Sequence, residues 1–265
     1  SGGIDISRGV SQLFGIDLAE NFRRPYFSRN ISEYWHRWHI TLGAWLREYL
    51  FYPIAMSKLF QKFGRSLKKH FGMKISKVLP VSIASLITFI VVGIWHGAYW
   101  RYVGFGLWNG LIIMVSTLLE DKYAVWKKTL HIRDTNKLFI LFQMFRTFLI
   151  VLVGYYFDIA PGFTAALKMM WLSITDFHIS ELADPAIFDA LGVSSASLIL
   201  VAVAVLALLV CSIVQECSGR TLREMICSKG FWAEAGVFLL LFWVVAIFGV
   251  YGPGTNPAEF VYMQF

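Results

Sequence analysis

Residues 78–100 of this chain contain no Asp, Glu, Lys or Arg, and neither do residues 102–119, 192–214 or 235–251. About 18 such residues in a row are enough to cross a bilayer as a helix. Only helices or closed barrels satisfy their backbone hydrogen bonds in lipid, and runs this uniformly apolar exclude the alternation of a barrel. A fifth stretch, 138–157, is apolar except for Arg146 and a few polar groups. The expected fold is all-α: a polytopic helical membrane protein with about five transmembrane helices. Segment 31–52 is aromatic but carries Glu33, Arg37, Arg47 and Glu48. It reads as a bundle-buried or interfacial helix.

Composition narrows the class further. Of 265 residues, 15% are charged, against about a quarter in soluble domains. That excludes a disordered chain and an ordinary water-soluble enzyme. Cys211, Cys217 and Cys227 form neither a CxxC pair nor a metal spacing, so they read as ordinary thiols. The net charge of +7 would suit nucleic acid, but on so apolar a chain it fits cytoplasmic loops better. No nucleic-acid partner is expected.

The basic residues also set an orientation. Segment 57–77 carries seven Lys/Arg and no acid, 120–137 carries five, and 215–229 carries three. Passing through the spans puts these three on one side, and only Arg101 and Lys168 on the other. By the positive-inside rule the basic side is cytoplasmic and 158–191 lies outside. Residues 1–30, with Ile4, Val10, Leu13, Phe14 and Leu18 at helical spacing, read like the inside of a domain. One membrane-embedded domain is expected over 1–265, as a segment of a longer chain.

Few residues in the spans could carry chemistry. His96 stands in the run VVGIWHGAYW, and an ionisable residue within a span is a functional-site hypothesis by default. The bland alternative is a neutral imidazole bonded to a neighbouring helix. Gly93 with Gly97, and Gly106 with Gly110, have the GxxxG spacing of close helix packing. Asn109 and Arg146 could each bind a carbonyl across the bundle, and Arg146 could attract an anion. In 31–52, Asn30 and Glu33 resemble a capping box and Pro53 stops the pattern. Trp35, Trp38, Leu42, Trp45 and Tyr49 then form one apolar stripe, Glu33 pairs with Arg37, and His36 and His39 share a face. An HxxH pair without a third ligand at clear spacing is weak evidence for metal, so no metal site is expected.

The stretches WHRWHITLGAWLREYLFYPI and GIWHGAYWRYVGFGLWNG together resemble the paired signature of the membrane-bound O-acyltransferases (MBOAT). The similarity is to the bacterial branch that serves alginate O-acetylation and teichoic acid D-alanylation. SGGIDISRGVSQLFGI, NFRRPYFSRNIS, RTFLIVLVGYYF and the tail EFVYMQF fit that branch as well. Two departures are YYFDIA, where Asp158 stands in place of a basic residue, and the absence of the family's N-terminal spans, which implies that 1–265 is the C-terminal part of a longer chain.

The resemblance implies transfer of an acyl group, acetyl first, from a cytoplasmic thioester to a hydroxyl for modification of an extracytoplasmic polysaccharide or cell-wall polymer. It implies His96 and His39 as the catalytic pair; His36 falls where the family varies. Trp35, Trp38, Trp95, Asn109 and Arg146 are expected along the substrate tunnel. No bound cofactor is expected; acetyl-CoA or an acyl carrier protein is the co-substrate. The other implied partners are the polymer, or an outer protein that passes the acyl group to it, and the lipid bilayer. The expected location is the bacterial cytoplasmic (inner) membrane. Alternatives are D-alanyl transfer, a His-box di-iron enzyme and a non-enzymatic transporter; His36, His39 and His96 fall short of the di-iron ligand set, and the other three histidines are dispersed.

Overall fold

The computed structural model describes residues 2–178, 180, 184–190 and 195–249. Contacts divide the chain into two compact units, Ser1–Phe177 and His178–Phe265. The aromatic tail at 259–265, the first three residues of the expected 192–214 span and residues 250–251 of the last one lie outside the described residues.

The first unit opens with α1 (Gly2–Leu13) and a 3-10 turn at Pro25–Phe27. The aromatic segment follows as α2 (Ile31–Arg37), α3 (Ile40–Leu46), a π turn (Arg47–Phe51) and α4 (Tyr52–Ala55). The long helices are α5 (Lys58–His96), α6 (Trp100–Leu118) and α8 (Lys137–Ile159). Between the last two lies α7 (Glu120–Thr129), and α9 (Phe163–Thr175) ends the unit. Among the described residues four helices are long and apolar enough to cross a membrane, and α6 with α7, bent by 59°, makes a fifth. The chain is an all-helical, multi-pass membrane protein.

Three expectations change. The basic segment 57–77, read as a loop, is helical. It folds back at Gly72, whose φ of 81° and ψ of 177° break the helix. A Cβ on Gly64 would lie 2.8 Å from the Ser76 carbonyl, so arms 58–71 and 73–96 run side by side. The outer segment 158–191 is not simply loop either, because the apolar 13-residue α9 packs there against α6 and α8. Third, 31–52 is not one helix but breaks at Trp38 and His39.

Lipid offers helices no hydrophobic reason to associate, so close approach and hydrogen bonds must hold the bundle. The two GxxxG pairs serve the first purpose. A methyl on Gly93 would run into the Tyr102 carbonyl, and one on Gly106 into that of Phe89. Hydrogen bonds serve the second. The Trp108 indole of α6 donates to the Ile150 carbonyl of α8 (3.0 Å), and Tyr156 of α8 donates to Ser173 of α9 (2.6 Å). Arg101 donates to the Ala160 carbonyl (2.8 Å) while its guanidinium lies over the Tyr102 ring.

The second unit contains α10 (Pro185–Ala190), α11 (Ser195–Ser218), α12 (Leu222–Cys227) and α13 (Phe231–Phe248). A full capping box starts α12: Glu224 N–H donates to Thr221 Oγ1 and Thr221 N–H to the Glu224 carboxylate. The apolar windows of α11 and α13 have no buried residue, a surface suited to lipid.

Candidate active site

The start of α2 forms as expected. Asn30 Oδ1 accepts the Glu33 N–H at 2.8 Å. The Glu33 carboxylate accepts the N–H of Arg29, one residue before the capping-box position, and pairs with Arg37 at 2.8 Å. This closes the helix N-terminus and fixes its exposed face. The inner face carries Tyr34 and Trp35. The Tyr34 hydroxyl meets that of Tyr155 at 3.2 Å, and the Trp35 indole donates to Asn109 Oδ1 at 3.3 Å.

The chain then leaves the helical path. Trp38 is extended and His39 is left-handed, with φ 49° and ψ 52°. A non-glycine residue there costs about 1–3 kcal/mol and persists only where its surroundings impose it. Here they do. Arg23 N–H donates to the Arg37 carbonyl (2.9 Å) and Ile40 N–H to the Asn21 carbonyl (3.1 Å), so 21–23 clasps the break in an antiparallel bridge. The Asn21 side chain accepts both the N–H and the hydroxyl of Thr41. Trp38 stacks on Tyr34 at 5.7 Å, and the His39 ring lies 4.9 Å from Phe22.

His96 is the last residue of α5. Its ring lies 6.2 Å from Tyr102 in a stacked orientation and 5.6 Å from Phe105 edge-on. Gly97 lets the chain turn there, since a Cβ would sit 2.6 Å from the Tyr102 ring.

His39 and His96 come from segments 57 residues apart and line one cavity of about 240 Å³. Both are half-buried, and among the described residues neither imidazole has a hydrogen bond. Their nitrogens are available to a guest. Burial, and then the neighbouring His96, hold the His39 imidazole below its ordinary pKa. Its neutral form is therefore favoured near pH 7.

The other expected residues divide. Trp35 and Trp38 line the cavity. Trp95 lies outside its lining and is 64% exposed, because adjacent helical residues point about 100° apart. Asn109 is buried behind Trp35 and donates to the Phe105 carbonyl. Arg146 is also outside the lining and ties α8 to the Arg29 carbonyl at 2.8 Å. His36 does line the cavity, and its Nδ1 lies 2.7 Å from the Ser32 carbonyl.

Sequence reasoning missed Arg47, Ser85 and Thr88 as cavity residues. Arg47 entered it only as a charge that argued against a lipid-facing span. Among the described residues no three His, Cys, Asp or Glu side chains gather as a metal site would require.

Fold and cavity together define a multi-pass membrane protein with two imidazoles on one cavity. No family model matches the chain, but sequence relatives do. A probable alginate O-acetylase AlgI of Pseudomonas putida is 31% identical over 185 residues, covering 69% of this chain and 32% of that protein. The teichoic acid D-alanyltransferase of Bacillus subtilis is 28% identical over 148 residues, 56% of this chain and 34% of that protein. The peptidoglycan O-acetyltransferase of Helicobacter pylori is 34% identical over 115 residues, 43% of this chain and 19% of that protein. The chain is thus similar to enzymes of the membrane-bound O-acyltransferase type. It spans about a third of the length of the alginate and teichoic acid relatives, and less of the peptidoglycan one.

Proposed function

We infer that the protein is an O-acyltransferase of the bacterial inner membrane. It would move an acyl group, acetyl first, from a cytoplasmic thioester to a hydroxyl for modification of an extracytoplasmic polysaccharide or cell-wall polymer. The observation that carries this reading is the shared cavity of His39 and His96. The relatives' printed activities, O-acetylation and D-alanylation, support the reaction class.

The step needs one base. A hydroxyl is a poor nucleophile near neutral pH, and a neutral imidazole within hydrogen-bond reach takes its proton as the oxygen attacks. That base is His96. The acceptor oxygen bonds to the thioester carbonyl carbon, the carbon–sulfur bond breaks, and the thiolate leaves with the bonding pair. The imidazolium returns its proton to the sulfur, so no cofactor is consumed. His39 holds the carbonyl or the acceptor in line, and the indoles of Trp35 and Trp38 limit water. The donor is acetyl-CoA or an acylated carrier protein. On the outer side the acceptor is the polymer or a protein that relays the group to it.

The test uses the full-length protein in native membranes, with radiolabelled acetyl-thioester and label followed into extracytoplasmic polymer. Wild type should transfer label and His96→Ala should lose it, by at least 100-fold for a general base. His39→Ala ranks the second imidazole. Equal transfer by His96→Ala makes His96 a packing residue and ends this mechanism. Label from D-alanyl but not acetyl thioester would move the reading to D-alanylation. Solute flux without transfer would favour a transporter.

A further inference from the structure

A second cavity, of about 590 Å³, lies where α6 meets the turn between α8 and α9. It shares no lining residue with the cavity of His39 and His96, and its volume is that of a small-molecule site. The α6 wall includes Trp100, Val103, Gly104 and Leu107, spaced i, i+3, i+4 and i+7 and so on one face of the helix. The turn contributes Pro161, Gly162 and Phe163. Gly104 allows this approach. A Cβ there would lie 2.7 Å from the Phe157 ring and 2.8 Å from that of Phe163.

The cavity is polar at one end and apolar at the other. Tyr99, Trp100 and Arg101 stand where the α6 span begins, with Tyr99 68% and Trp100 78% exposed. Val103 lies about 4–5 Å and Leu107 about 10 Å further along the helix axis, within the uncharged run. Arg101 is the one charged residue of the lining. Its Nη1 donates to the Asp158 and Ala160 carbonyls and its Nη2 to the Tyr102 hydroxyl. Its Nε–H has no partner among the described residues. The guanidinium charge also acts on the Asp158 carboxylate, but Asp158 is outside the lining. Aromatic residues at the end of a span often serve only as an anchoring belt. Such a belt requires neither a cavity of this size nor a cation within it.

We propose that this cavity binds a phospholipid from the bilayer, with its phosphate on Arg101 and one acyl chain along Val103 and Leu107. A guanidinium suits a phosphodiester through charge-assisted N–H donors. Tyr99 and Trp100 match the zone where headgroup meets chain. A water-soluble anion would gain nothing from Val103 and Leu107, and a bare alkyl chain nothing from Arg101. The site belongs to whichever leaflet α6 enters at Trp100, and it stands whether or not the protein transfers an acyl group.

The test is native mass spectrometry of the purified full-length protein with phosphatidylglycerol as the probe. Diacylglycerol, which lacks the phosphate, and glycerol phosphate, which lacks the chains, separate the two halves of the ligand. Wild type should bind one phosphatidylglycerol about tenfold or more tightly than either. Leu107→Trp fills the chain end and should abolish that preference. Leu111→Trp, one turn on, 42% exposed and outside the lining, should leave it intact. Arg101→Gln should reduce phosphatidylglycerol to the level of diacylglycerol. Arg101 also tethers the Ala160 carbonyl, so if that variant does not fold, the leucine pair decides the case.

Equal binding of phosphatidylglycerol and diacylglycerol overturns the assignment, because the phosphate then has no part in it. So does glycerol phosphate bound as tightly as the lipid, which would make this a site for free phosphate. Equal loss in Leu107→Trp and Leu111→Trp, or loss in neither, would mean general solvation by lipid and overturns it too.

Discussion

His39 and His96 differ in how they are held, and that difference can be measured. His96 ends a long helix and inherits its place from α5, whereas His39 owes its place to a strained backbone. Because burial and then His96 lower its pKa, His39 is more than half neutral at about pH 6.5, the ordinary histidine value. The advantage of wild type over His39→Ala at saturating donor, which isolates the His39 contribution, should therefore be level from pH 8 to 7 and decline only below about 6.5. A decline that begins above pH 7 would contradict a depressed value. Stability follows the same sign: the unfolded chain takes up the proton first, so acid below about 6.5 destabilises the fold. Glycines offer a second residue-scale test. Gly93→Ala drives a methyl into the Tyr102 carbonyl and should cost about 1–3 kcal/mol, read as a lower unfolding temperature in detergent. Gly236→Ala in α13 meets nothing within 4 Å and should not lower it.

Elements show where the sequence was legible and where it was not. The long spans follow from uncharged runs, a property of consecutive residues, and they form within a few residues of the expected limits. The α2 cap was legible in Asn30 and Glu33 for the same reason. The break at His39 was not. Trp38 and His39 include no Gly or Pro to announce a turn, the apolar stripe continues past them, and the partner lies at 21–23. A pairing between segments leaves no local signal. The fold-back at Gly72 hid in a basic run that topology alone explained, and α9 is too short to register as a span. Asn21→Ala tests the clasp, since it removes the acceptor for two Thr41 donors. It should cost about 1 kcal/mol of stability and lower transfer several-fold, more than Asn30→Ala, which uncaps α2 at similar cost. Equal activity losses would mean that the clasp does not aim His39.

At the scale of the molecule, the charge distribution makes a prediction about sidedness. In a background with the three cysteines replaced by serine, Ser66→Cys on the basic arm should react with a membrane-impermeant maleimide only after permeabilisation. Thr164→Cys, exposed at the start of α9, should react in intact cells. The reverse pattern would put the basic arm outside and contradict the cytoplasmic donor of the proposed function. The His96 end of α5 and the Arg101 tether would then face the cytoplasm.

The clasp at 21–23 also says where the aim of a cavity-lining side chain is encoded. A peptide of residues 30–52 in micelles has every residue of the stripe but not Asn21, Phe22 or Arg23. It should close into one helix, with His39 near the usual φ of about −63° and its ring swung away from the direction it takes in the protein. The bearing of that imidazole is thus written about eighteen residues upstream of it. Grafting the histidine motif alone onto another membrane helix would transplant the letters without their punctuation.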